Sequence, residues 1–191
     1  MAPIVPDTTL ALGFLSVLES PQLGFIGGLL ALNASGRPLE FHCTAPVRPN
    51  RAQQILYGPT LRPYLCGEQI ASALLAKCKA SLAVLLVDCA DVLAVRPQVQ
   101  APVALVVASP SDEALAQLRS GCGNPELAQR VWAHQPLATQ PEYSDDLMTI
   151  VQMLDGVEVA FDLAEPFRRI RLAIEEAQGL AGDVDPVRSA A

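Results

Sequence analysis

The stretch Gly24-Phe25-Ile26-Gly27-Gly28-Leu29-Leu30-Ala31-Leu32, then Asn33-Ala34-Ser35-Gly36, then Pro38-Leu39-Glu40-Phe41-His42-Cys43-Thr44 decides the reading of the fold. Two apolar, strand-length runs around a short Asn/Ser/Gly turn are the signature of a β-hairpin. In its second strand Leu39, Phe41 and Cys43 alternate with Glu40, His42 and Thr44. Side chains alternate across a pleated strand, so the pattern predicts Leu39, Phe41 and Cys43 inward and Glu40, His42 and Thr44 outward.

Upstream of the hairpin, residues 9–19 form a further apolar run, which predicts a preceding strand, and residues 1–7 with two prolines read as a loose lead-in. Downstream, Asn50 is placed to cap a short helix through Tyr57, with Gly58-Pro59 as its stop. A second helix is expected from near Thr60 or Pro63 to Lys79, because Cys66, Ile70, Ala73, Leu74 and Cys78 recur at helical spacing.

Residues 81–87, ending at Asp88, and 102–108, ending at Ser109, are nearly continuous apolar runs. Such runs mark central strands covered on both faces. Between them, residues 88–101 fit either a short crossover or a third strand at 92–95 in an antiparallel meander.

The Ser109-Pro110-Ser111-Asp112-Glu113 segment opens a helix that Gly121 closes, and Asn124-Pro125-Glu126 predicts another, ending near His134. Residues 135–143, with two prolines, read as a loop. Ser144-Asp145-Asp146 starts a helix to Leu154, closed by Gly156, and residues 157–161 are a short strand candidate. Phe167, Ile170, Ile174 and Ala177 give a last amphipathic helix. The fold class expected is α/β (or α+β): a mixed central sheet flanked by helices, with a hairpin–helix–strands core and a helical C-terminal part. One domain over residues 1–181 and a flexible acidic tail over 182–191 complete the organisation.

Composition narrows the setting. Of 191 residues, 51% are hydrophobic and 17% charged, enough apolar material for a core and too little charge for disorder. The first basic residue is Arg37, so no secretory signal is expected. Residues 20–36 are uncharged but broken by Pro21, Asn33 and four glycines, which makes a poor membrane span. Five cysteines, Cys43, Cys66, Cys78, Cys89 and Cys122, are an odd number and read as reduced, largely buried thiols of a cytoplasmic protein.

The net charge of −7 is uneven: seven Lys/Arg and six Asp/Glu up to Pro110, against six and fourteen from Ser111 onward. Neither half offers the concentrated basic field that displaces counterions from a nucleic acid, so the expectation is no nucleic-acid partner and no membrane.

Candidate chemistry is sparse. Gly24-Phe25-Ile26-Gly27-Gly28 lacks the Lys-Ser/Thr of a phosphate loop and runs into a strand, so its glycines read as a bulge or a close-packing site. His42, Cys43, Cys66, Cys78 and Cys89 lack the two-residue spacing of a zinc knuckle, and no cofactor or metal is expected. Cys122 precedes a helix start, but its nearest base, His134, falls at that helix's far end. Asp88 and Asp91 follow a buried strand, where open α/β sheets put their ligands, although a strand-ending Asp also simply caps the next turn.

There remain Glu40, His42, Arg48, Asn50 and Arg51 on or just after the hairpin's second strand, which with Asp88 make the candidate ligand-binding set. The prolines at 46 and 49 stiffen that segment, and Arg48 and Arg51 flank a helix start that favours anions.

The order of elements resembles that of small sensory and adaptor modules of the PAS, longin or roadblock kind. With a mean hydropathy of +0.31, it implies a non-enzymatic interaction or regulatory module, self-associating as a homodimer or bound to a protein partner. The alternative is a small enzyme or anionic-ligand binder centred on His42, Arg48 and Arg51.

Overall fold

The structure, a computed structural model, describes residues 10–107, 127–133, 135–156 and 162–179. Among them seven strands form one mixed sheet in the order β3-β2-β1-β4-β5-β7-β6. The strands are β1 (Ala11–Ser20), β2 (Gly24–Leu32), β3 (Pro38–Cys43), β4 (Leu82–Val87), β5 (Val103–Val106), β6 (Ala128–Trp132) and β7 (Gln135–Thr139). β1 to β3 form an antiparallel meander, β4 and β5 run parallel to β1, and β7 and β6 return antiparallel.

The hairpin closes as its turn residues demand. Asn33 Oδ1 accepts hydrogen bonds from Ser35 N and Arg37 N at 3.1 and 2.9 Å, and Gly36 takes φ 76°, a conformation that costs glycine little. Helix α1 (Arg51–Tyr57) starts with the Asn50 cap: Asn50 Oδ1 accepts from Gln53 N and Gln53 Oε1 accepts from Asn50 N, a reciprocal capping box. After a 3-10 turn (Gly58–Thr60), α2 comprises one turn at Leu61–Pro63, a π-helical stretch Tyr64–Ala71 and α-helix Ser72–Lys77. Helices α3 (Ser144–Gly156) and α4 (Glu165–Ala177) lie on the other side.

The sheet therefore separates two apolar layers. On one face Leu12, Phe14, Ile26, Leu30, Leu86 and Val106 pack with α3 and α4; on the other Leu15, Leu29, Leu85, Val87 and Leu105 pack with α2 and the segment Ala90–Gln98. Gly27 and Gly28 open one face each, since a Cβ on Gly27 would stand 2.2 Å from Ile70 Cγ2, and one on Gly28 2.5 Å from Ile170 Cγ2. The glycines serve close packing of helices on both faces.

Several expectations need correction. Leu39 and Phe41 are 47% and 38% exposed, while Glu40 and His42 are half-buried. The expected sidedness of β3 is inverted because it is an edge strand whose apolar face extends beyond α4, and Glu40 is instead anchored to the chain at Lys79. Residues 92–95 are part of a 3-10 helix, Ala90–Gln98, that links two parallel strands, so the crossover holds and the meander does not.

Residues 128–132, expected in a helix running to 134, form β6, and the expected loop at 135–143 contains β7 and a 3-10 turn. Antiparallel pairing of β6 with β7, and of β7 with β5, overrides the helix propensity of Ala, Gln and Arg there. The lead-in at 1–7, the helix at 109–121, the strand at 157–161, the tail at 182–191, Cys122 and His134 lie outside the described residues.

Candidate functional site

Parallel strands with a crossover put their carboxyl ends on one edge of the sheet, which is where open α/β sheets hold ligands. Here β1 and β4 are such a pair, with Leu15 opposite Val87. The next residues on one face are Ser16 and Asp88, and Ser16 Oγ donates a 2.8 Å hydrogen bond to Asp88 Oδ2. Ser16 is 1% exposed. It lies opposite Gly28 in the register, and Gly28 faces Ile170 and Ile174 of α4, so this pair sits under α4.

The second carboxylate oxygen, Asp88 Oδ1, is buried and has no hydrogen-bond partner among the described residues. Burial pushes the Asp88 carboxyl above the usual carboxylate range, and the Ser16 hydrogen bond, the charge of Arg171 on α4 and the backbone N–H of Asp88 itself pull it part of the way back. Buried polar atoms left unpaired are few in native proteins, and a role in binding or catalysis is one explanation for such an atom.

The opposite face of the same edge is closed. Arg62 bridges Glu19 and Asp91, the latter at 2.9 Å from Nε, and its guanidinium lies 5.5 Å over the Phe25 ring. Both carboxylates hold that guanidinium firmly charged. Asp91 is thus spent on an internal ion pair, whereas Asp88, three residues earlier, is not.

Two thiols border this closed face. Burial, first among several causes, pushes Cys66 up to about 12 and Cys89 up to about 11, so neither supplies a thiolate near neutrality. Native protein at pH 8 is expected to alkylate at Cys66 and Cys89 at least about tenfold more slowly than urea-unfolded protein; mass spectrometry of iodoacetamide-treated samples measures this. Among the described residues no three His, Cys, Asp or Glu side chains are grouped to hold a metal ion.

The sequence-derived set does not converge. Glu40 and His42 face the α2 side of β3, with His42 Nε2 2.9 Å from Glu40 Oε2. The Lys79 N–H, donating to Glu40 at 3.0 Å, and then His42 hold the Glu40 carboxyl below its ordinary range. Arg48 Nε donates to Leu23 O at 3.0 Å and so fastens the β1–β2 turn, while the Asn50 side chain is used in capping. Arg51 is exposed at the start of α1. Asp88 lies on the other face, three strands further along the sheet order.

What the sequence reading missed is Ser16 and Arg171. No local signal marks them, because their relation to Asp88 depends on β1 adjoining β4 and on α4 covering that face.

The chain matches no protein-family model and no curated protein. Solved structures similar to it include two Ciona intestinalis Endonuclease V complexes with DNA containing an inosine followed by a ribo-adenosine. One, with a 23mer, is 12% identical with TM-score 0.48, covering 91% of this chain and 88% of that one. The other, with a 24mer, is 12% identical with TM-score 0.45, covering 90% and 89%. Human ENDOV is also 12% identical, with TM-score 0.37, covering 90% and 87%.

Two of these neighbours are Endonuclease V complexes with DNA. The expectation of a non-enzymatic, self-associating interaction module or homodimer, with no nucleic-acid partner, is therefore withdrawn. At 12% identity the likeness assigns no activity or residue to this chain. No helix among the described residues is long and apolar enough to cross a membrane.

Proposed function

We propose that this chain is a small enzyme or ligand-binding protein that works at the carboxyl ends of β1 and β4, with Asp88 as the group that accepts a hydrogen bond or proton from its ligand. The observation that carries this reading is the buried, unpartnered Asp88 Oδ1, held beside the Ser16 hydroxyl. Of the residues singled out from the sequence the proposal keeps Asp88 alone. A cytoplasmic location belongs to the same proposal, supported by four free cysteines among the described residues.

The chemistry follows from the environment. A carboxyl pushed up by burial exchanges its proton closer to neutrality than an exposed one, which is the condition for general acid or base action. Ser16 fixes the carboxyl by occupying Oδ2, so a ligand's polar hydrogen meets Oδ1. Ser16→Ala is expected to free the carboxyl to rotate and to weaken this preference.

Replacing the carboxylate tests the proposal through two opposite effects. Because the folded pKa is raised, the folded chain holds this proton more tightly than the unfolded chain. The stability that this group contributes is therefore fully present below the ordinary carboxylate range and is lost as pH rises through the raised value. Asp88→Asn removes that loss, and is expected to stabilise by about 1 kcal/mol at pH 7, or roughly 2–4 °C in Tm, with the advantage gone near pH 3. The same variant should lose about a hundredfold or more in turnover or in ligand preference. Suitable probes are nucleosides, nucleotides and inosine-containing DNA. A variant equal to the parent on every probe the parent recognises, or a parent that recognises none, overturns the proposal.

A further inference from the structure

We propose that the ligand of this site carries a phosphate ester, bound by Arg168 and Arg171 on α4; this rests on the reading of Asp88 above. Three arginines follow the buried start of α4, and they are used differently. Arg169 is tied down: its guanidinium donates to both Glu165 carboxylate oxygens at 2.7 to 3.0 Å and to Gly36 O at 3.0 Å, joining α4 to the hairpin turn. Arg168 and Arg171 are exposed and, among the described residues, neither has a hydrogen bond or ion pair.

Their spacing puts them together. Residues three apart on a helix are surface neighbours, and Phe167, Ile170 and Ile174 fix which side of α4 is buried against the sheet. Arg169 then points to the hairpin side, and Arg168 and Arg171 to the opposite flank of α4, which packs on β1 and β2. Ile170, the residue before Arg171, packs over Gly28, the register partner of the Ser16 that hydrogen-bonds Asp88, so α4 covers this pair, and the Arg171 charge draws the Asp88 carboxyl down. The result is a carboxyl with a free oxygen under α4 and two free guanidinium forks on that helix.

Two free guanidinium groups about one helical turn apart in sequence match a group with several anionic oxygens. A planar fork offers two parallel N–H donors to each pair of oxygens, and two forks can grip one tetrahedral phosphate from adjacent sides. A single carboxylate would satisfy one fork and leave the other idle. Asp88 would repel the anion itself, so the ester's neutral, hydrogen-bond-donating part lies toward Oδ1 and its phosphate toward α4. That polarity orients the ligand across the edge of the sheet.

The experiment is a calorimetric titration of the full chain with adenosine monophosphate, adenosine, inorganic phosphate and a short single-stranded oligodeoxynucleotide, at two salt concentrations. The parent should bind one or more of the phosphate-bearing probes, more weakly at higher salt, and should bind adenosine at least about tenfold less well than its monophosphate. Arg168→Gln with Arg171→Gln should lower phosphate-ester affinity about tenfold or more and flatten the salt dependence, with thermal stability unchanged. Asp88→Asn should keep the affinity for inorganic phosphate or increase it, because a repelling charge is gone, and should lose affinity for the monophosphate, whose neutral part meets Oδ1.

Tighter binding by the oligonucleotide than by the monophosphate, per site, identifies a polymer backbone as the source of the phosphate, and the reverse identifies a free nucleotide. If the double variant binds like the parent, the arginine inference is overturned while the Asp88 reading stands or falls on its own variant. If no phosphate-bearing probe binds the parent, the inference is overturned outright.

Discussion

Asp146→Ala is expected to destabilise the fold by about 3–5 kcal/mol, the range for removing one partner of a buried ion pair. Asp146 is 8% exposed, sits in the first turn of α3, and holds three things at once. Its carboxylate accepts from Arg96 Nε, from Arg96 Nη2 at 2.9 Å, and from Val103 N at 3.0 Å, the first residue of β5. Arg96 itself ends the crossover, donating to Val99 O at 2.8 Å and stacking 4.8 Å over the Tyr143 ring.

Truncation therefore strands a half-buried guanidinium and a buried backbone N–H together, and each alone carries a desolvation penalty. Asp146→Asn keeps one acceptor and loses only the charge, so about half the effect is expected. Urea unfolding should show the midpoint falling by roughly 1–2 M for the Ala variant. A loss under about 1 kcal/mol would mean that the pair is solvated and does not fasten β5 to α3.

The parts of this architecture that were readable in the sequence are those written in local chemistry. Asn33 and Gly36 specify a turn whatever surrounds them, and the Asn50 and Gln53 box starts α1 with the residues a capped helix needs. Continuous apolar runs at 81–87 and 102–108 gave two central strands, β4 and β5, because burial on both faces leaves no alternation.

Sidedness at the sheet's edges was not local. Leu39 and Phe41 alternate as an inward-facing set would, yet which face of β3 is covered depends on how far α4 reaches. Residues 128–132 show the same limit, since Ala, Gln and Arg favour a helix until a neighbouring strand is available to pair with. Asp88 could be singled out because it ends a buried run. Its setting could not, because Ser16 is 72 positions away in the chain and Arg171 is further still, brought near only by the β1–β4 pairing and the placement of α4.

Gly27→Ala is the second large effect expected, with a cost of about 2–3 kcal/mol, at the upper end of the overpacking range. A Cβ at Gly27 would lie 2.2 Å from Ile70 Cγ2 and 2.9 Å from Leu74 Cδ1. Leu74 can swing its terminal methyl aside, but Ile70 is β-branched on a helix, where one χ1 rotamer is strongly preferred. Its Cγ2 is attached directly to Cβ, so relief requires α2 to move away from the sheet. The loss would extend to the contacts that Leu65, Cys66 and Leu74 make in the same layer.

Gly28→Ala repeats the problem on the other face, where Ile170 Cγ2 stands at 2.5 Å, and it lifts α4, the helix that carries Arg168 and Arg171. Two signatures separate the positions. Gly27→Ala should reduce stability and leave phosphate-ester affinity nearly unchanged, while Gly28→Ala should reduce both. Ile70→Ala combined with Gly27→Ala supplies the control: removing the obstructing methyl makes the double variant less destabilised than the sum of its parts, by about 1 kcal/mol or more in a double-mutant cycle. Strict additivity at this pair would show that the two residues do not meet, and that the glycine serves strand geometry instead of helix packing.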